Sequence, residues 1–186
     1  MQSTEHQSYL NLSKVDICAT LWRIYNLSGV YTDVSSNTKL TTHTMIERLE
    51  TIDKEGIKNT FNVLEEPLSV GEYQGIYYKI FEPNSNPWKH FVFQILFVED
   101  SKILIYMIDN QNIPEVSKKG IVKSMIEEIR TTYKKTIISS TNINEFKHVD
   151  SEGRVNNVTK FWEKWTKENG QIQYNKKEGR FYYFFS

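Results

Sequence analysis

Glu145-Phe146-Lys147 sets a carboxylate and an ammonium two residues apart, which puts both on the same side of any strand they occupy. Such a pair suits a metal-dependent phosphodiesterase: the acid holds a divalent cation while the lysine orients a water or offsets charge on the phosphate. Asp109 closes an apolar run read below as a core strand and there can supply a second metal ligand. The other chemistry-bearing stretch is the tail, where Tyr174, Arg180, Tyr182 and Phe184 belong to an aromatic and basic cluster suited to binding.

Other reaction classes lack their residues. His6, His43, His90 and His148 are scattered, and His43 and Glu47, four apart on a predicted helical face, read as a solvated pair. Cys18 is the single cysteine, so no internal disulfide framework or cysteine-rich zinc site can form, and it reads as a small buried hydrophobe. No Gly-x-Ser-x-Gly elbow and no glycine-rich phosphate loop occurs. No cofactor and no metal is expected in the leading reading.

At pattern level Glu145-x-Lys147 with Asp109 resembles the restriction-endonuclease-like nucleases, and that resemblance implies a divalent-metal-dependent nuclease with these three residues at its centre. The block from Phe91 to Lys135, a hairpin followed by a helix, is likewise similar in pattern to the longin-type trafficking domains, which implies a meander packed on a helix and no particular function.

That block is the frame that must position everything else. Phe91 to Val98 is too short for a bilayer helix and rich in aromatic and β-branched residues, so it reads as a strand covered on both faces. Glu99-Asp100-Ser101-Lys102 reverses the chain, and Ile103 to Ile108 forms the second strand of an antiparallel hairpin. A long helix is expected from about Asn112-Ile113-Pro114-Glu115 to Lys135, capped by Asn112. Its buried stripe is Ile121, Val122, Met125, Ile126, Ile129 and Tyr133, with Lys118, Lys119, Lys123, Glu127, Arg130 and Lys134 facing water.

Upstream, residues 1–11 read as a flexible segment and residues 12–186 as a single domain. Leu12 to Tyr25 reads as a strand, although Leu21, Ile24 and Tyr25 also permit a helix. A helix is predicted from Thr41 or Thr42 to Gly56, with Met45, Ile46, Leu49 and Ile52 as its stripe and Gly56 as its left-handed cap. A short strand over Ile57 to Leu64 should stop at Glu65-Glu66-Pro67, and Tyr73 to Phe81 should follow as a strand with Ile76, Tyr78 and Ile80 on one side. Downstream come a strand over Thr136 to Ser140, a loop over Asn142 to Asn157, and a third helix. Val158, Phe161, Trp162 and Trp165 mark that helix, and Gly170 closes it. A last hairpin pairs Gln171 to Tyr174 with Arg180 to Phe185. The expected architecture is α+β, a mainly antiparallel sheet built on a central hairpin with about three packed helices.

In 186 residues, 39% hydrophobic and 25% charged residues make an ordinary globular balance, and no transmembrane segment is present. Met1 to Ser8 lacks both the basic and the apolar region of a secretory signal, so a soluble cytoplasmic protein is expected. Net charge is zero, yet residues 1–100 hold 8 Lys and Arg against 13 Asp and Glu while residues 101–186 hold 15 against 10, leaving halves of −5 and +5. Richness in Ile, Asn, Lys, Thr and Tyr is compatible with an AT-rich viral or mobile-element accessory protein.

The leading expectation is a non-enzymatic protein-interaction module, an adaptor, inhibitor or self-assembling component, using the C-terminal aromatic hairpin toward a protein partner or a second copy. Lys176, Lys177 and Arg180 beside Tyr174 and Tyr182 give a secondary reading as a platform for single-stranded nucleic acid. The enzymatic alternative is the nuclease of Asp109, Glu145 and Lys147. A small-ligand pocket under Trp88 and the long helix stands third.

Overall fold

A computed structural model describes residues 47–185 of the chain. The expected strand over 12–25, Cys18, His6, His43 and the boundary at residue 12 lie outside the described residues. Within them the protein is mixed α/β: an eight-stranded sheet and two α-helices.

The strands are β1 (Arg48–Ile52), β2 (Lys58–Val70), β3 (Tyr73–Phe81), β4 (Phe91–Glu99), β5 (Lys102–Asp109), β6 (Thr136–Ser139), β7 (Ile172–Asn175) and β8 (Arg180–Tyr183). The helices are α1 (Ile121–Tyr133), between β5 and β6, and α2 (Asn156–Glu168), between β6 and β7. The sheet order is β1-β2-β3-β4-β5-β6-β8-β7, with every neighbouring pair antiparallel except β5 and β6. That parallel pair follows from α1, which returns the chain to the starting end of the sheet.

The central hairpin forms as its residue types require. Glu99 pairs with Lys102 across a two-residue turn and reaches its ammonium at 2.9 Å. Phe91, Phe93 and Ile95 of β4 point to the main core under the helices. Leu96, Leu104 and Ile138 bury a smaller cluster on the opposite face, with Val149 and Tyr182 packed against it. On α1, Ile121, Met125, Ile126 and Ile129 are buried as the helical spacing demands. Glu127 and Arg130, expected to face water, turn instead toward the tail: the Tyr183 hydroxyl donates to Glu127 Oε2 at 2.8 Å, and Arg130 Nε donates to the Phe184 carbonyl at 3.0 Å.

Three expectations are corrected. The helix over 41–56 gives way, in its described part, to β1, where Leu49 and Thr51 are buried and Arg48, Glu50 and Ile52 are exposed. Leu49 and Ile52 fit a helical stripe, but the burial period is two, because Thr51 rather than Ile52 faces inward. Gly56 then serves a hairpin turn (φ +80°), in which Asp53 Oδ1 accepts the N–H groups of Glu55 and Ile57 at 3.0 and 2.9 Å.

Strand β2 does not stop at Pro67 but runs to Val70. Val63 donates its N–H toward the β1 side, to the Glu47 carbonyl at 3.1 Å, so Pro67, of the same parity, directs its nitrogen to that side too. Strand β1 pairs only with Lys58 to Asn62, so among the described residues no strand pairs with this edge at Pro67 and the missing donor costs no ladder bond there.

The long helix is divided. Pro114–Val116 forms one 3-10 turn capped by Ile113, and α1 starts only at Ile121 because Lys118 (φ +58°) and Gly120 (φ +79°) are left-handed. Asn112, also left-handed, caps nothing. A Cβ on Gly120 would lie 2.3 Å from the Ile52 carbonyl oxygen, so close approach to β1 requires glycine as well as the turn.

Gly120 thus touches β1, while Glu127 reaches Tyr183 on β8. Seven helical residues span about 10 Å, whereas β1 and β8 stand six strand spacings apart in the order, about 29 Å if flat. The reach of two side chains does not close that difference, so the sheet curls around α1. Ile126, fully buried on α1, should cost about 2–5 kcal/mol when changed to Ala. Glu128→Ala on the exposed side should stay within about 0.5 kcal/mol. Equal losses in denaturant titrations would mean that the helix packs on another face.

Candidate functional site

Glu145 is not on a strand. Asn144–Phe146 forms a 3-10 turn in which Glu145 is exposed, and Lys147 follows with its N–H on the Asn144 carbonyl at 3.3 Å. The shared strand face assumed for the pair therefore does not exist. Asp109 sits, as expected, at the end of β5, exposed and accepting the Gln111 N–H at 2.8 Å. Among the described residues no group of three or more His, Cys, Asp or Glu is placed to hold a metal ion.

Arg180 is also corrected. It was read as a surface cation of the tail, but it is 1% exposed and pairs with fully buried Glu152 at 2.7 Å. Its guanidinium donates to the Ser139 carbonyl at 2.7 Å and to the Phe146 carbonyl. Glu152 accepts the N–H groups of Thr141 at 2.7 Å and His148 at 2.9 Å. Two buried charges are tolerable only with such complete partnering. The same bonds explain why residues 141–152 curl into turns and not into the strand the Glu-x-Lys pattern needs. Arg154 reinforces the arrangement, donating to Ser139 Oγ at 2.7 Å and lying 5.0 Å above the Phe181 ring.

The tail divides by strand parity. Phe181 and Tyr183 are each 3% exposed, with Phe181 stacked on Trp162 at 5.8 Å and Tyr183 edge-on to Trp165 at 5.1 Å. The third predicted helix, α2, thus covers one face as anticipated. Tyr174, exposed at the outer strand, pairs with Phe181 and shares its face, whereas Tyr182 lies on the other. Tyr174 and Tyr182 therefore cannot belong to one flat surface. Tyr182 is half-buried and its hydroxyl donates to Glu178; burial first, then that bond, raises its phenol above the ordinary range.

Beyond β8 the ring of Phe184 stacks on Tyr182 at 5.9 Å, and the Arg130 guanidinium lies 5.4 Å above the ring of Phe185. Phe184 and Phe185 are 40% and 41% exposed. Phe185 lies within the expected aromatic hairpin, and Arg130, expected to face water, is the addition to it. The signal for Phe185 was the apolar run continuing past the point where the strand could pair.

Two of the cavities on the described surface bear on the site. One, of about 440 Å³, lies where the β1–β2 turn, the start of α1 and the side of α2 meet, floored by Phe91, Ile121 and Trp165 and bordered by five lysines. The other, of about 400 Å³, lies beyond the ends of β5 and β6 beside Arg154 and Val155. Trp88 borders neither and is 76% exposed. No helix among the described residues is long and apolar enough to cross a membrane.

No protein-family model matches the chain, and no curated protein or solved structure matches it either. What the fold defines is a mixed α/β domain with a curled eight-stranded sheet over two helices.

Arg180→Met should destabilise by about 3–5 kcal/mol, since it leaves Glu152 buried without its cation. Adding Glu152→Gln should cost less than the sum of the two single changes; additive losses would show that the pair is not coupled. His148 gives a pH signature. Burial, then the charge of Arg180, holds its ring below the ordinary 6.5. The fold thus favours the neutral ring: this stability is complete above pH 6.5 and is lost as pH falls through the lower folded value. Urea midpoints of the wild type should decline in that window, and His148→Gln should flatten the decline; identical profiles would remove His148 as its source.

Proposed function

We propose that this domain is a non-enzymatic protein-interaction module whose contact surface is the aromatic edge formed by Phe184 and Phe185. The observation that carries this reading is the abrupt change at the end of β8, from Phe181 and Tyr183 at 3% exposure to Phe184 and Phe185, the next two residues, at 40% and 41%. Phe185 is not needed to close the Phe181–Tyr183 face, which α2 already covers, and Phe184 lies on the other face, stacked on half-buried Tyr182.

The patch is also held in place. The Phe184 N–H donates to the Gln171 carbonyl at 3.2 Å, and Arg130 grips the Phe184 carbonyl while covering the Phe185 ring. Aromatic side chains and arginine are the types enriched at interface centres, and an ordered patch loses little freedom on binding. Arg180 is withdrawn from the binding set, and Tyr174 belongs to a separate edge. The nucleic-acid reading loses Arg180 and keeps only Lys176 and Lys177 on the turn.

The test is Phe184→Ser with Phe185→Ser. The unfolding midpoint should move by no more than about 1 kcal/mol. Self-association measured by sedimentation across a wide concentration range, or retention of the protein partner captured from the source cells, should weaken by more than about 2 kcal/mol. Unchanged association and retention would sink this reading, as would collapse of the fold.

A further inference from the structure

We propose that the cavity at the start of α1 is a second docking site, for a short acidic segment of a partner protein carrying one apolar anchor side chain. It is separate from the aromatic edge and stands or falls independently of it.

The cavity joins two features that seldom serve the protein alone. Its floor is apolar, made by Phe91, Ile121 and Trp165, and Ile52 at its rim is 61% exposed. Around that floor stand Lys54 from the β1–β2 turn, Lys118, Lys119 and Lys123 from the approach to α1 and its first turn, and Lys164 from α2. Like charges brought to one rim by three separate elements repel one another, and the fold gains nothing from assembling them.

Among the described residues the acids offset the rim only in part: Asp53, which feels the charge of Lys119, and Glu168 line it against five lysines. Asp53 is engaged by two backbone N–H groups of its own turn, and Glu168 and Glu55 each take one exposed lysine, Lys164 at 3.8 Å and Lys54 at 3.0 Å. Lys118, Lys119 and Lys123 make no ion pair among the described residues. The Lys123 ammonium lies 5.6 Å from the Trp165 ring, so it rests on the aromatic wall instead of a carboxylate. Helix α1 has no side-chain cap and no acid in its first turn, which adds the positive end of its dipole to the same rim.

Charge complementarity selects the occupant. An anchor side chain fills the apolar centre, and carboxylates on either side of it meet lysines arriving from different directions. A lipid presents one headgroup at one end of an apolar chain and leaves most of this ring unmatched. The volume, about 440 Å³, also lies within the range of small-ligand sites, roughly 300–1,000 Å³, so an anionic lipid or fatty acid is the competing outcome.

The experiment uses the full chain and fluorescein-labelled short peptides, each with Asp and Glu flanking a central Leu, Phe or Trp, read by anisotropy. At least one should bind about tenfold more tightly than its anchor→Ser version and than a Lys-rich counterpart. Raising NaCl from about 50 to 300 mM should weaken it further. Lys118→Glu with Lys123→Glu should weaken it at least about tenfold, with an unchanged unfolding midpoint verifying the fold, while Phe184→Ser with Phe185→Ser should leave it intact. No binding by any peptide of the panel overturns the proposal, and so does binding indifferent to the anchor in the unaltered protein, a measurement that needs no variant. Binding of oleate or phosphatidylserine vesicles without peptide binding overturns it in favour of a lipid site.

Discussion

Arg180 and Glu152 meet at 2.7 Å with neither side chain more than 1% exposed, and most of the sheet's far end is arranged so that they can. A buried pair recovers its desolvation cost only when the remaining donors and acceptors are also bonded. Here the Ser139 and Phe146 carbonyls complete the guanidinium, and the N–H groups of Thr141 and His148 complete the carboxylate. Six positions on the chain are therefore fixed relative to one another by one charge pair. The pair also sets strand register. With Arg180 turned to the face of the 141–152 segment, Phe181 and Tyr183 must face the helices; a slip of one residue would drive a guanidinium into the aromatic core.

From that register the aromatic stack follows. Phe181 lies on Trp162 and Tyr183 against Trp165, so α2 is oriented by the same strand that the ion pair pins. Arg154, ahead of α2, is half-buried without a carboxylate partner within ion-pair distance among the described residues, and burial lowers its basicity. It bonds neutral oxygens of Ser139 and Thr159 and covers the Phe181 ring, a role that needs a flat, apolar-faced cation. The two arginines thus staple a long irregular segment to the sheet, while the tail beyond Tyr183 is held by Arg130 and Gln171 instead.

Where hydrophobicity was continuous or strictly periodic, the fold was legible. Strands β4 and β5, the Ile76-Tyr78-Ile80 face of β3, the stripe of α1 and the Trp162-Trp165 face of α2 all stand as their spacing dictates. Local signals misled where a distant contact outweighed them. Thr51 rather than Ile52 faces the core, Pro67 lies beyond the reach of β1 on that edge of β2, and a Cβ at Gly120 would collide with a carbonyl of β1. The site was legible only in its aromatic composition. Arg180 looked like a surface cation because its partner lies 28 residues earlier, in a stretch with no periodicity. The lysine rim is assembled from three elements and has no signature along the chain beyond Lys118-Lys119 and Lys123.

Charge bookkeeping shows why global values say little about such a surface. The chain is neutral overall, with its basic excess in residues 101–186. Two of its arginines are occupied internally, Arg180 against Glu152 of the same half and Arg154 against neutral oxygens. The lysines at the cavity share one rim, and charges within a screening length of roughly 8–10 Å at ordinary ionic strength act together. Acids elsewhere are engaged separately, as where Lys79 reaches Glu66 at 2.5 Å between β2 and β3. A partner approaching the start of α1 therefore meets a locally cationic, apolar-floored surface on a protein whose net charge is zero, and the field within one screening length decides what binds there.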